Sequence, residues 1–199
     1  MPNKMQTIIA VDQNSTLSTR DRGLNYGDGF FTTAKVVNGQ VQYWAHHKAR
    51  LIECAQRLGF PELDFNSLEN QIALHIKAAP LNVLKILVTR GEGGRGYGLP
   101  SECNITILLS ILDYPSNYEA LVKKGVNLEI SPIKLAAQPY LAGLKTLNRL
   151  EQVLVKKAMQ TQNCDDVLVL DYNNNVIEAS AANIFAIKNK RMFTPLLDE

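Results

Sequence analysis

Lys145 stands just ahead of Asn148, where LAGLKTLNRLEQ (residues 141–152) turns helical in pattern. The start of a helix carries partial positive charge and is a poor place for a cation. Such a lysine either bends away into water or is held as a neutral amine, the form that attacks carbonyl carbons. The glycine-flanked loop and nearby Arg149 add to the positive potential, yet both readings are open on these residues alone. Glu178, in VIEASAANIF, alternates with Val176 and Ser180 on one strand face. A carboxylate there lies at an exposed edge or is held for a cationic partner.

Two arginine groups invite anions. Arg50 comes about one turn into a helix, after His46 and His47. Adjacent histidines diverge on a helix and neither has H-E-x-x-H spacing, so no metal is expected, and Arg50 alone is commonly a surface residue. Arg90, Arg95 and Tyr97 lie in or beside GEGGRGYGLP. They suit a carboxylate ligand, since guanidinium pairs with carboxylate in bidentate fashion. The alternative is a flexible hairpin loop with solvated arginines. Gly91, Gly93 and Gly96 fit G-x-G-x-x-G, but a proline and a strand follow where a dinucleotide site needs a helix.

Elements must position these groups. FFTTAKVV and QVQYW flank Asn38-Gly39, which predicts a two-residue hairpin. AHHKARLIECAQRLGF predicts a helix with a Leu51, Ala55, Leu58 stripe, stopped at Gly59-Phe60-Pro61. A second helix is expected from Asn66 to Ala78, and NVLKILVTR and CNITILLSILDY read as buried strands joined by the glycine-rich loop. Two helices beside an antiparallel sheet make a two-layer first domain. PSNYEALVKKG reads as a short helix or linker, VNLEISPIKL as a strand, and the region around Pro139 and Gly143 as a loop. Asn148 with Glu151 resembles a capping box ahead of a helix with a Leu150, Val153, Leu154, Ala158 stripe. The remainder reads as strand, Asn-rich turn and strand. It ends at TPLLDE with an open edge, so a continuation is expected.

Composition narrows the class. With 46% hydrophobic and 20% charged residues and a net charge of +2, nothing favours nucleic acid. Three scattered cysteines argue against disulfide or zinc frameworks and for a reducing compartment. MPNKMQTIIAVDQNS lacks a signal peptide's apolar run, and no stretch is long enough to span a bilayer. A cytoplasmic location without membrane partners is the expectation.

KTLNRLEQVL followed by VLVLDYNNNVIEASAANIF resembles the fold-type IV pyridoxal-phosphate enzymes, and RDRGLNYGDGFFTTAKV, HHKARL and RGEGGRGY occur upstream in the matching order. The resemblance covers nearly the full chain. It implies an α/β (α+β) architecture: a two-layer N-terminal α/β domain (residues 1–115), a linker (116–124), and a C-terminal pseudo-barrel cofactor domain (125–199) that looks incomplete. Family members continue into a Gly-Val-x-Gly-x-x-Arg-like turn that completes a phosphate cup, so weak cofactor binding is expected of these 199 residues.

By the same resemblance, Lys145 would anchor pyridoxal 5'-phosphate and carry the proton, Glu178 would pair with the pyridine nitrogen, Arg50 would grip the phosphate, and Arg149 would contact the ring hydroxyl. Thr33 matches a hydroxyl assisting protonation, while Tyr26, Arg90, Arg95 and Tyr97 would line a pocket for a small dicarboxylate. Within the superfamily the set is most similar to lyases that release pyruvate from an aminated ring. The alternatives are a branched-chain or D-amino-acid transaminase, in which a tyrosine takes the place of Arg149, or an inactive fragment. A homodimer sharing the glycine-rich loop between subunits is also implied.

Overall fold

The computed structural model describes residues 6–76 and 80–196, in two compact units. The first comprises residues up to Tyr114 together with Leu144–Asn148. In chain order it holds β1 (Gln6–Ala10), α1 (Arg22–Tyr26), β2 (Gly29–Val37), β3 (Gln40–Val41), α2 (Trp44–Arg57), α3 (Phe65–His75), β4 (Leu81–Thr89) and β5 (Ile105–Asp113). The sheet runs β1-β5-β4-β2-β3. It is antiparallel except at β1, which lies parallel to β5. QTIIA forms a strand that its short pattern does not predict.

Asn38 and Gly39 take φ of 48° and 74°, the twisted two-residue turn that the Asn-Gly pair predicts. The returning strand is shorter than QVQYW, because Tyr43 adopts φ 55° and caps α2. Period-two alternation sends Phe30, Thr32, Ala34 and Val36 of β2 to one face with Leu84, Ile86 and Val88 of β4, all buried. Leu51, Cys54 and Ala55 of α2 and Leu68 and Ile72 of α3 close this core. α3 starts at Phe65, where Asp64 accepts from the Ser67 amide, and ends at His75; the expected end at Ala78 lies outside the described residues.

Leu144–Asn148 pairs with the start of β2. The Phe31 amide donates to the Lys145 carbonyl at 2.9 Å, and the Leu147 amide to the Gly29 carbonyl at 3.0 Å. Gly29 permits this approach: a Cβ there would meet the Val88 carbonyl and stand 2.7 Å from Leu147 Cδ1. Gly29→Ala is therefore expected to cost about 1–3 kcal/mol by overpacking, read as a lower denaturant midpoint. An unchanged midpoint would show that the strand yields freely.

The second unit spans Pro115–Gly143 and Arg149 onward. It holds α4 (Tyr118–Lys124), β6 (Leu128–Ile130), α5 (Leu150–Met159), β7 (Asp166–Leu170), β8 (Val176–Ala179), β9 (Ala186–Lys188) and β10 (Arg191–Phe193). β6 is parallel to β7, β8 antiparallel to it, and β9 and β10 form a hairpin. VNLEISPIKL yields a strand only over three residues. Val155 of α5 packs with Leu135, Val167 and Val169. The expected stripe is wrong: Leu150, Val153 and Leu154 are exposed, and Gln152, Val155 and Met159 turn inward.

Candidate functional site

Lys145 is half-buried, and its place is set by strand pairing rather than by a helix terminus. α5 begins at Leu150 with Arg149 at its cap, and no side chain caps it. Asn148 instead reaches toward the Gly27 carbonyl at 3.4 Å, while Glu151 accepts from the Ala136 amide, so no capping box forms. Thr146 lies opposite Phe30, and alternation turns Lys145 to the face of Phe31. Its Nζ stands 5.2 Å from the Phe31 ring centroid.

A second amine was not anticipated. Lys85 Nζ lies 5.4 Å from the same ring, and Lys85 is the direct cross-strand partner of Thr33. Phe31, Thr33, Lys85 and Lys145 thus share one sheet face, carrying two amines and a hydroxyl. The available signal was a lone charge inside the apolar run NVLKILVTR.

Arg50 approaches β2 from the other face. It is exposed, as the surface reading holds, but its Nη1 lies 3.4 Å from Oγ1 of fully buried Thr32. The same oxygen is 2.7 Å from His47 Nδ1. Burial and then the charges of Arg50 and His46 push the His47 pKa below the ordinary histidine value, favouring its neutral ring.

Arg90, expected beside Arg95 as a carboxylate binder, has its guanidinium bound within the chain. It is buried, with Nε donating to Asp28, Nη1 to the Gly59 carbonyl and Nη2 to the Leu58 carbonyl, and its guanidinium lies 3.9 Å from the Phe60 ring centroid. Each nitrogen is therefore engaged within the chain. Arg22, missed in the sequence, is equally buried. It donates to Asp28 at 2.8 Å and to the carbonyls of Gly93, Gly96, Tyr97 and Gly98. The glycine-rich loop is consequently tied down rather than free. Exposed Arg95 remains for a ligand, and Tyr97 stacks edge-on against Tyr26 at 5.6 Å.

Burial raises the Asp28 pKa, but hydrogen bonds and charge from Arg90 and Arg22 outweigh it and hold the carboxyl below its ordinary value. A depressed folded pKa gives stability that is complete above the unfolded value of about 3.9. That stability is lost as pH falls through the lower folded value. Asp28→Asn is expected to lower stability at neutral pH and to flatten its fall below about pH 4 in acid denaturation. A parent-like acid limb would contradict this coupling.

In the second unit, Glu178 is half-buried and its Oε1 accepts from Gln152 Nε2 at 3.4 Å. Gln152 Oε1 is buried without a hydrogen-bond partner among the described residues. Gln152, which the sequence did not single out, thus orients the carboxylate. Half-buried Arg149 accepts the Val153 amide at its carbonyl.

A surface hollow of about 380 Å³, lined by Gln6, Leu63, Phe65, Cys103 and Ile105 among others, contains none of these groups. Among the described residues no cluster of three or more metal-ligating side chains occurs, and no helix is long and apolar enough to cross a membrane.

Residues 29–199 match the model of the amino-transferase class IV family, and the chain belongs to that family. It is 36% identical to an aminodeoxychorismate lyase of Vibrio harveyi over 88% of this chain, spanning 65% of that protein's length. The solved 4-amino-4-deoxychorismate lyase from Pseudomonas aeruginosa superposes with a TM-score of 0.86 at 39% identity, covering 92% of this chain and 68% of that one. A hypothetical aminotransferase from Mycobacterium tuberculosis in a PLP-bound form shares the fold, with a TM-score of 0.80 at 20% identity over 94% of this chain and 68% of that one. The architecture is that of fold-type IV enzymes.

Proposed function

We propose that the chain carries the pyridoxal-phosphate chemistry of an aminodeoxychorismate lyase, converting 4-amino-4-deoxychorismate to 4-aminobenzoate and pyruvate in folate biosynthesis. The observation that carries this reading is the half-buried Lys145 amine on one face with Thr33 and Lys85. A nucleophilic amine, a hydroxyl and a further cation suit a dicarboxylate substrate that must exchange protons. By the family resemblance, Lys145 would take the cofactor's aldehyde, Arg50 its phosphate, and Glu178, held by Gln152, its ring nitrogen.

Pyridoxal phosphate, when bound, withdraws electrons from the carbon bearing the substrate nitrogen. Lys145 would hold the cofactor's aldehyde and, as a free amine, would serve as the base. It then takes the proton from the carbon bearing that nitrogen. Thr33 assists delivery of a proton to the departing three-carbon unit, which leaves as pyruvate. The proton lost from the ring balances the one gained by pyruvate, so neither water nor oxidant is consumed. Aromatisation of the ring drives the step forward. Glu178 would keep the pyridine nitrogen protonated, Arg149 would hold the ring hydroxyl, and Arg95 and Lys85 would offer cations to the two substrate carboxylates. Tyr26 and Tyr97 line the approach.

We further propose a homodimer in which the glycine-rich loop serves the neighbouring subunit, consistent with Tyr97 being 88% exposed. Its three free cysteines suit a cytoplasmic setting. The test is a product assay with added cofactor. Equimolar pyruvate and 4-aminobenzoate support the lyase, whereas sustained amino transfer to 2-oxoglutarate without pyruvate would establish a transaminase. Sedimentation showing only monomer would overturn the dimer.

A further inference from the structure

Thr32 is fully buried, yet its hydroxyl meets two groups from one helix, His47 and Arg50 of α2. Spacing of three residues puts His47 and Arg50 on the same helix face. The proton inventory fixes the direction of the bond from Arg50. Guanidinium can only donate, so Thr32 Oγ1 accepts from Arg50 Nη1. The threonine proton is then available to His47 Nδ1 at 2.7 Å when the neutral ring carries its own proton on Nε2. Burial and the charges of Arg50 and His46 favour that neutral form. The three groups form a directional chain, His47 to Thr32 to Arg50, that steadies a guanidinium otherwise on the surface.

We infer that Thr32 and His47 are positioning residues for Arg50, and that through it they set the affinity for a phosphate monoester. The inference rests on the proposal that Arg50 takes the cofactor phosphate. Holding a long side chain in place before binding reduces the ordering that binding must impose. Neither residue needs to touch the ligand. Thr33, the next residue along β2, faces away from this chain, so the paired threonines of FFTT divide the two tasks.

The experiment compares pyridoxal phosphate with pyridoxal, which has the same ring and aldehyde but no phosphate. Dissociation constants for both are read from the absorbance of the lysine-linked form, and their ratio isolates the phosphate contribution. Thr32→Val keeps the shape and removes the hydroxyl. It is expected to weaken pyridoxal phosphate about tenfold, the effect of losing a hydrogen bond to a charged group, while leaving pyridoxal unchanged. Thr32→Ser is expected to restore the ratio, and His47→Phe to lower it as Thr32→Val does. Arg50→Ala should lower it further.

Parallel weakening of both ligands in Thr32→Val would show a merely structural role and overturn the inference. So would an unchanged ratio in Thr32→Val beside a lowered ratio in Arg50→Ala. A parental ratio in Arg50→Ala would instead refute the phosphate role of Arg50 itself, and the inference with it.

Discussion

Lys145→Ala is expected to abolish the visible absorbance band that forms when pyridoxal phosphate is added, and to lower kcat by roughly a thousandfold or more. The reason is local. The Lys145 backbone is paired with Phe31 whatever the side chain, so alanine removes the amine and leaves the strand segment in place. Loss of the ring contact with Phe31 costs about 0.5–1 kcal/mol. The melting temperature should therefore stay within a few degrees of the parent while the chemistry disappears. Lys85 stands against the same ring but extends from β4, and it should not replace the lost function. A mutant retaining the band would assign the anchor elsewhere.

Arg22→Met is expected to give the largest loss of stability. Arg22 is 3% exposed, and its guanidinium joins Asp28 to four carbonyls of the glycine-rich loop. It also lies over the Tyr26 ring at 5.0 Å. Methionine fills the space but leaves those carbonyls and part of the Asp28 charge unpaired. Removing one member of a buried ionic group costs about 3–5 kcal/mol, equivalent to a fall of roughly 10 °C or more in melting temperature for a unit of this size. Lysine is a poor substitute, because a single ammonium cannot serve divergent carbonyls and a carboxylate at once. The loosened loop carries Arg95 and Tyr97, so KM should rise more than kcat falls. Parent-like melting would show that the loop holds itself.

Where a residue's local chemistry dictates its geometry, the structure follows the sequence reading. Asn38-Gly39 can adopt positive φ cheaply, and the hairpin forms there. Strands β4 and β5 follow from long, predominantly apolar runs. Features that depend on distant partners were not legible. β1 is five residues of modest apolarity that become a strand only beside β5, about a hundred residues away. Asn148 has the chemistry of a helix cap, but its amide is directed to the Gly27 carbonyl instead. The apolar residues of α5 suggested one inward face, yet Gln152 faces inward because Glu178 needs a donor. Arg90 and Arg95 are alike as letters. Only Asp28, Leu58 and Gly59 reveal that Arg90 is engaged within the fold while Arg95 is exposed. The resemblance supplied the roles, and the fold supplied the partners that hold those residues.

The most direct test of the account is borohydride reduction of the protein with bound pyridoxal phosphate, followed by peptide mapping of the modified lysine. The account predicts a single adduct on Lys145, absent in Lys145→Ala. An adduct on Lys85 or another lysine, or none on Lys145 under saturating cofactor, would contradict it.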